Sequence, residues 1–189
     1  MTMSNRLSIA LMLSFSLAST LSYAETKKPE AAMKSVIVYY SYTGRTETVA
    51  KTLASEIGAD VVKIEDVEKP SKLKAYFLGA FAAHKGKAWP VKSLPSVSGY
   101  DRVFVGAPVW WMRPAPEING FIQGTDFTGK TVVPFVTMGG SGQDAALKAM
   151  SAAVEAKGGK VSSTFSVKTG GLTQTGIVAK TKETAKQYR

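Results

Sequence analysis

The sequence predicts a doubly wound α/β fold: a parallel sheet of five strands with helices on both faces. Three observations predict it. Apolar runs of strand length alternate with amphipathic segments, the pattern that builds parallel sheets through helical crossovers. The first, third and fourth runs are apolar almost without a break, as strands covered on both faces are. The residues best suited to holding a ligand fall directly after those same three runs, and open α/β sheets bind ligands beyond the carboxyl ends of their strands.

In order, strands are predicted over 35–40, 60–64, 102–106, 131–137 and 160–167, each rich in Val, Ile, Phe or Tyr. A helix over 46–57 places Val49, Leu53 and Ile57 on one stripe. A second, from 71 to about 85, follows a proline and carries Leu73, Phe77 and Phe81 at the same spacing. A third spans 115–123, introduced by two prolines, and a fourth, alanine-rich, spans 144–157 and stops at Gly158-Gly159. The last closes the chain over 177–189.

The first 24 residues stand apart from the fold. Arg6 is the one charge before Glu25, it precedes an apolar run over 7–21, and Ser22-Tyr23-Ala24 puts small residues where a signal peptidase reads. We expect a signal peptide over 1–24 cleaved after Ala24, a short polar tail over 25–34 and one domain over 35–189, in the periplasm or secreted. The apolar part is shorter than the ~20 residues a bilayer span needs, so no transmembrane span is expected after cleavage.

The 189 residues suffice for one domain with a real core. The absence of cysteine excludes disulfides, thiol catalysis and cysteine-based metal sites. Net charge is +10, or +9 once Arg6 leaves with the signal. The lysines are scattered and no nucleic-acid motif interrupts them, so we expect a solvated basic surface that suits an acidic partner, and no nucleic acid. The single histidine, His84, stands near Lys85 and Lys87 and reads as a solvated helix-end residue. One histidine and few acids near the strand ends predict neither a metal site nor a hydrolytic set.

Three loops carry the chemistry. After the first strand come Ser41-Tyr42-Thr43-Gly44-Arg45-Thr46. Ser41, Thr43 and Thr46 supply short hydroxyls, Gly44 permits a tight turn, and a helix beginning near Thr46 adds free backbone N–H groups and the positive end of its dipole. That is a phosphate cradle that does not need lysine; an ordinary N-cap would need one hydroxyl rather than three. After the third strand, Pro108-Val109-Trp110-Trp111 presents tandem tryptophans, on one of which a flat π-system can stack, with Arg113 placing a cation nearby. After the fourth strand, Thr137, Gly139, Gly140 and Ser141 can meet a ligand edge through backbone groups, with Ser141 and Asp144 as possible caps of the next helix.

On these residues the chain resembles the flavodoxins. Ser41, Thr43, Gly44 and Thr46 match the family's [ST]-x-T-G-x-T loop in full. The resemblance implies a flavodoxin-like domain with sheet order 2-1-3-4-5 and FMN as cofactor. Its phosphate would lie on residues 41–46, its ring against Trp110 or Trp111, with Trp110 favoured, and its polar edge on the loop from Thr137 to Ser141. It implies electron transfer, with a redox partner protein or a quinone-type small molecule. The alternatives are an NAD(P)H- or quinone-linked flavin oxidoreductase of the same fold and a flavin-free interaction domain.

Overall fold

The computed structural model describes residues 33–68, 71, 73 and 80–189. The expected signal peptide, most of the polar tail and Phe77 lie outside them.

The strands form where the apolar runs predict. β1 (Ser35–Tyr39) is buried throughout, as are most of β3 (Arg102–Trp110) and β5 (Thr131–Met138). β2 (Asp60–Lys63) is the mostly exposed edge. Alternate residues of each central strand enter opposite layers. Ile37, Tyr39, Phe104, Val133 and Phe135 pack with Val49 and Leu53 of helix α1 (Arg45–Ile57) and with Ile177 of a C-terminal helix (Gln174–Ala185). Val36, Val38, Val103, Val105 and Val132 pack on the other side, against Ile118 and Phe121 of one helix (Pro116–Gly124) and Met150 of another (Gln143–Glu155). Counted along the chain after the short helix α2 (Ala80–His84), these three are α5, α3 and α4. Val49 and Leu53 are fully buried, and burying a side chain of that size stabilises by about 1.5–3 kcal/mol.

All five main strands run parallel, in the order β2-β1-β3-β5-β6, where β6 is Lys160–Val161. The predicted fifth strand is broken. β6 and β7 (Phe165–Lys168) both pair with β5, as Val132 with Val161 and Phe135 with Phe165. Three steps along β5 therefore face four along its neighbour. Pro134 lies in that gap and has no N–H to give. Taken as two pieces of one strand, β6 and β7 complete the order 2-1-3-4-5.

Three other expectations change. The segment after β2 is helical at Leu73 and over Ala80–His84, but Leu73 and Phe81 are exposed, so their spacing does not mark a buried stripe. The side chain of His84 lies outside the described residues. α5 begins three residues before the predicted start because the Thr173 hydroxyl caps it, accepting from the Gly176 N–H. Neither Ser141 nor Asp144 caps α4, which Gly142 enters in a left-handed conformation with no side-chain cap. Among the described residues, no helix is long and apolar enough to cross a membrane.

Candidate functional site

The parallel register brings three loops to one end of the sheet, because Tyr39 pairs with Gly106 and Pro108 with Thr137. In the first loop Gly44 has φ of 88°, a conformation glycine reaches at little cost, and α1 starts immediately behind it. The Ser41 hydroxyl, nearly buried, accepts from the Gly44 N–H at 3.1 Å, which shapes the turn. The first-turn N–H groups of α1 have no intrahelical partner, and no side chain caps the helix. Thr43 is exposed beside them. Glu47 turns aside, taking Lys51 at 2.6 Å and Lys63 at 2.9 Å, and these bonds hold its carboxyl below the usual range.

Contacts between the loops fix their relative positions. Thr46 and Thr137 are both buried and share a hydrogen bond of 2.8 Å, joining the first loop to the third; their hydroxyls are spent on each other beneath the surface. Arg45 donates to the carbonyls of Thr169 and Leu172, anchoring α1 to the loop after β7. That loop lies directly on Gly139, since a Cβ on Gly170 would come within 1.9 Å of the Gly139 carbonyl oxygen. Gly139, Gly140 and Ser141 are exposed. A side chain at either glycine would meet no protein atom within 4 Å, which leaves open space for a ligand edge.

The second loop is a β-hairpin that the sequence analysis did not foresee. β3 runs on past Gly106 to Trp110, turns through Trp111 and Met112, and returns as β4 (Arg113–Pro114), pairing Trp110 with Arg113. Pro108 and Val109 are half-buried in it. Its tip rests on the start of α4, where a Cβ on Gly142 would lie 2.9 Å from the Met112 Cα. The Trp110 ring is half-buried and braced edge-on by Tyr40 and Tyr42, with centroids 6.2 and 6.0 Å away. Trp111 stands at the tip, 63% exposed.

Trp111 and Met112 have φ of 48° and 65°. Both therefore occupy the left-handed region that a two-residue hairpin needs and that Asn-Gly ordinarily fills, at about 1–2 kcal/mol for each bulky residue. Replacing them together, Trp111→Asn with Met112→Gly, is expected to raise the unfolding free energy by about 1–2 kcal/mol in a urea titration. A loss of stability would show that these two side chains make packing contacts worth more than the backbone strain.

Beside the first loop lies a polar pocket of about 540 Å³, lined by residues 40–44 and 63–67 and by Lys92. Beneath it is a group that sequence reasoning missed. Glu117, in the first turn of α3, is fully buried, and neither of its carboxylate oxygens has a hydrogen-bond partner among the described residues. Its polar neighbours are Asp66 and Tyr40, whose hydroxyl donates to Asp66 Oδ2 at 3.2 Å. Burial pushes the Glu117 carboxyl up to about 8, and Asp66 adds to the rise. Burial, with the two acids beside it, also pushes the Tyr40 hydroxyl far above its ordinary range. Gln143, opening α4, likewise keeps a buried Oε1 without a partner among the described residues. Among the described residues no cluster of acidic or histidine side chains could hold a metal ion.

Comparisons with known proteins agree with the fold. A family model described as Flavodoxin matches residues 84–172. Flavodoxin 1 of Salmonella typhimurium is 27% identical over 103 residues, 52% of this chain and 46% of its own, so the chain spans about half the length of that curated relative. A crystal structure from Bacteroides uniformis, of a protein provisionally named a flavoprotein, is 26% identical with a TM-score of 0.67, over 83% of this chain and 97% of that one. A flavoprotein from Lactobacillus acidophilus, solved in complex with FMN, shares the fold with a TM-score of 0.63 at 22% identity, over 71% of this chain and 93% of that one. In sequence the chain is similar to the flavodoxins through its central segment, and its backbone has the flavodoxin-like fold over most of its length.

Proposed function

We propose that this protein binds FMN at the carboxyl ends of β1, β3 and β5 and carries electrons. The observation that supports this most is the start of α1: a left-handed glycine with no side-chain cap, inside a loop of short hydroxyl residues. Free first-turn N–H groups and a helix dipole suit a phosphate dianion. The remaining donor set fits the rest of the cofactor. Trp110, held rigid by two tyrosines, is the stacking platform, and the open backbone at Gly139 and Gly140 meets the polar edge of the ring. The FMN complex of the Lactobacillus acidophilus relative, which shares this fold, supports the same assignment.

Bound FMN supplies the electron chemistry, and the protein supplies position and electrostatics. The chain's part is to grip the phosphate with α1, to fix the ring between the second and third loops, and to leave Trp111 exposed at the tip, where an electron partner can approach. The net charge of +9 left once Arg6 departs with the signal suits an acidic partner protein, and a quinone-type small molecule is the other acceptor of the right chemistry. The signal-like sequence over 1–24 supports a periplasmic or secreted setting, with FMN binding after export.

The test is transfer without turnover. The photoreduced holoprotein is expected to pass its electrons to an added quinone or acidic electron-carrier protein, and to show no sustained oxidation of NADH or NADPH on its own. Steady nicotinamide oxidation without a partner would make it a flavin oxidoreductase instead.

A further inference from the structure

Electron transfer makes no use of Glu117, yet an unpartnered carboxylate buried in a protein interior is costly unless it carries a proton. Its surroundings define what it can do. The titratable groups facing it are Tyr40, just after β1, and Asp66 from the loop after β2. The lysines on the pocket rim are engaged elsewhere, Lys63 with Glu47 at 2.9 Å and Lys92 with Glu65 at 3.0 Å. A buried carboxyl beside a second acid, with no neutralising cation among the described residues, ionises only against strong repulsion, so Glu117 holds a proton. Tyr40 and Asp66 also line the pocket beside the first loop, and Asp66 is half-exposed. The pair is thus buried at one end and open to the pocket at the other.

We propose that the Asp66–Glu117 pair is the proton store of this pocket and takes up a proton when a phosphate-bearing anion enters beside it. The proposal rests on the FMN reading of the same site. Negative charge arriving at the first loop disfavours the ionised form of the pair. A Glu117 carboxylate oxygen then forms an O–H bond with a proton drawn from the buffer through the open pocket. Ligand charge and proton enter together, so the protein binds the dianion with less repulsion at neutral pH than at alkaline pH.

Calorimetric titration with FMN tests this, at pH 8 in two phosphate-free buffers of different ionisation enthalpy. Above pH 7 a phosphate monoester is already almost fully dianionic, so uptake there belongs to the protein. The parent protein is expected to take up roughly half a proton per FMN, and its affinity to weaken by about threefold more between pH 7 and pH 9 than that of Glu117→Gln. The Glu117→Gln variant is expected to show no uptake. Asp66→Asn, at a half-exposed position, is expected to move the uptake to lower pH, because Glu117 then ionises more easily. FMN binding without proton uptake, or equal uptake by the parent and both variants, overturns the proposal and leaves the FMN reading standing. A folded protein that does not bind FMN overturns both.

Discussion

Between pH 5 and pH 8 the Glu117→Gln variant is expected to gain several kcal/mol of stability relative to the parent protein. The folded carboxyl titrates near 8, against 4.5 for the ordinary group. From about 4.5 to about 8 the folded state therefore holds a proton that the unfolded state has lost. A raised carboxyl contributes stability that is fully present below the unfolded value and disappears as pH climbs through that window. The slope is on the order of 1.4 kcal/mol per pH unit. Glutamine has the same shape and no titration, so the slope vanishes while any cost of burying its amide stays constant with pH. Urea unfolding of both proteins at several pH values reads the difference directly. Parallel curves would show that Glu117 is ionised in the folded protein and that some group compensates it.

The second large effect belongs to Gly170→Ala. The added methyl would lie 1.9 Å from the Gly139 carbonyl oxygen. Both parties are backbone, so no rotamer change relieves the clash and the two loops must part. We expect a loss of about 1–3 kcal/mol in unfolding free energy and at least tenfold weaker FMN binding, since the third loop and the Arg45 anchor at Thr169 shift together. Gly140→Ala is the control for stability: its methyl meets no protein atom within 4 Å, and its unfolding free energy is expected to stay within about 0.5 kcal/mol of the parent. If Gly170→Ala were as stable and bound FMN as well as the parent, the contact between the two loops would not set the site.

Both predictions concern features that the sequence did not disclose, and the reasons are physical. The central strands were legible because a strand covered on both faces must be largely apolar, and β1, β3 and β5 are apolar almost without a break. The tight turn before α1 was legible because a glycine among short hydroxyl residues after a strand marks a helix entry, and Gly44 is left-handed there. The hairpin was not, because Trp111-Met112 is no turn dipeptide; only the fold forces these residues into the left-handed region. Glu117 was hidden by a sufficient local explanation, since an acidic residue in a helix's first turn is what the dipole favours. Its burial against Asp66 and Tyr40 depends on which way the loop after β2 returns. Periodicity likewise identified a helix around Leu73 and Phe81 but could not show that these side chains face solvent. The break in the last strand has a cause in the neighbouring one, where Pro134 withholds an N–H.

One measurement tests the central claim most directly: fluorescence titration of the folded protein with FMN, repeated with riboflavin. The site described here predicts tight FMN binding with quenched flavin and tryptophan emission, and binding at least a hundredfold weaker for riboflavin, which lacks the phosphate that the start of α1 would hold. Equal binding of the two would contradict the phosphate cradle, and binding of neither would contradict the assignment of this site to a flavin.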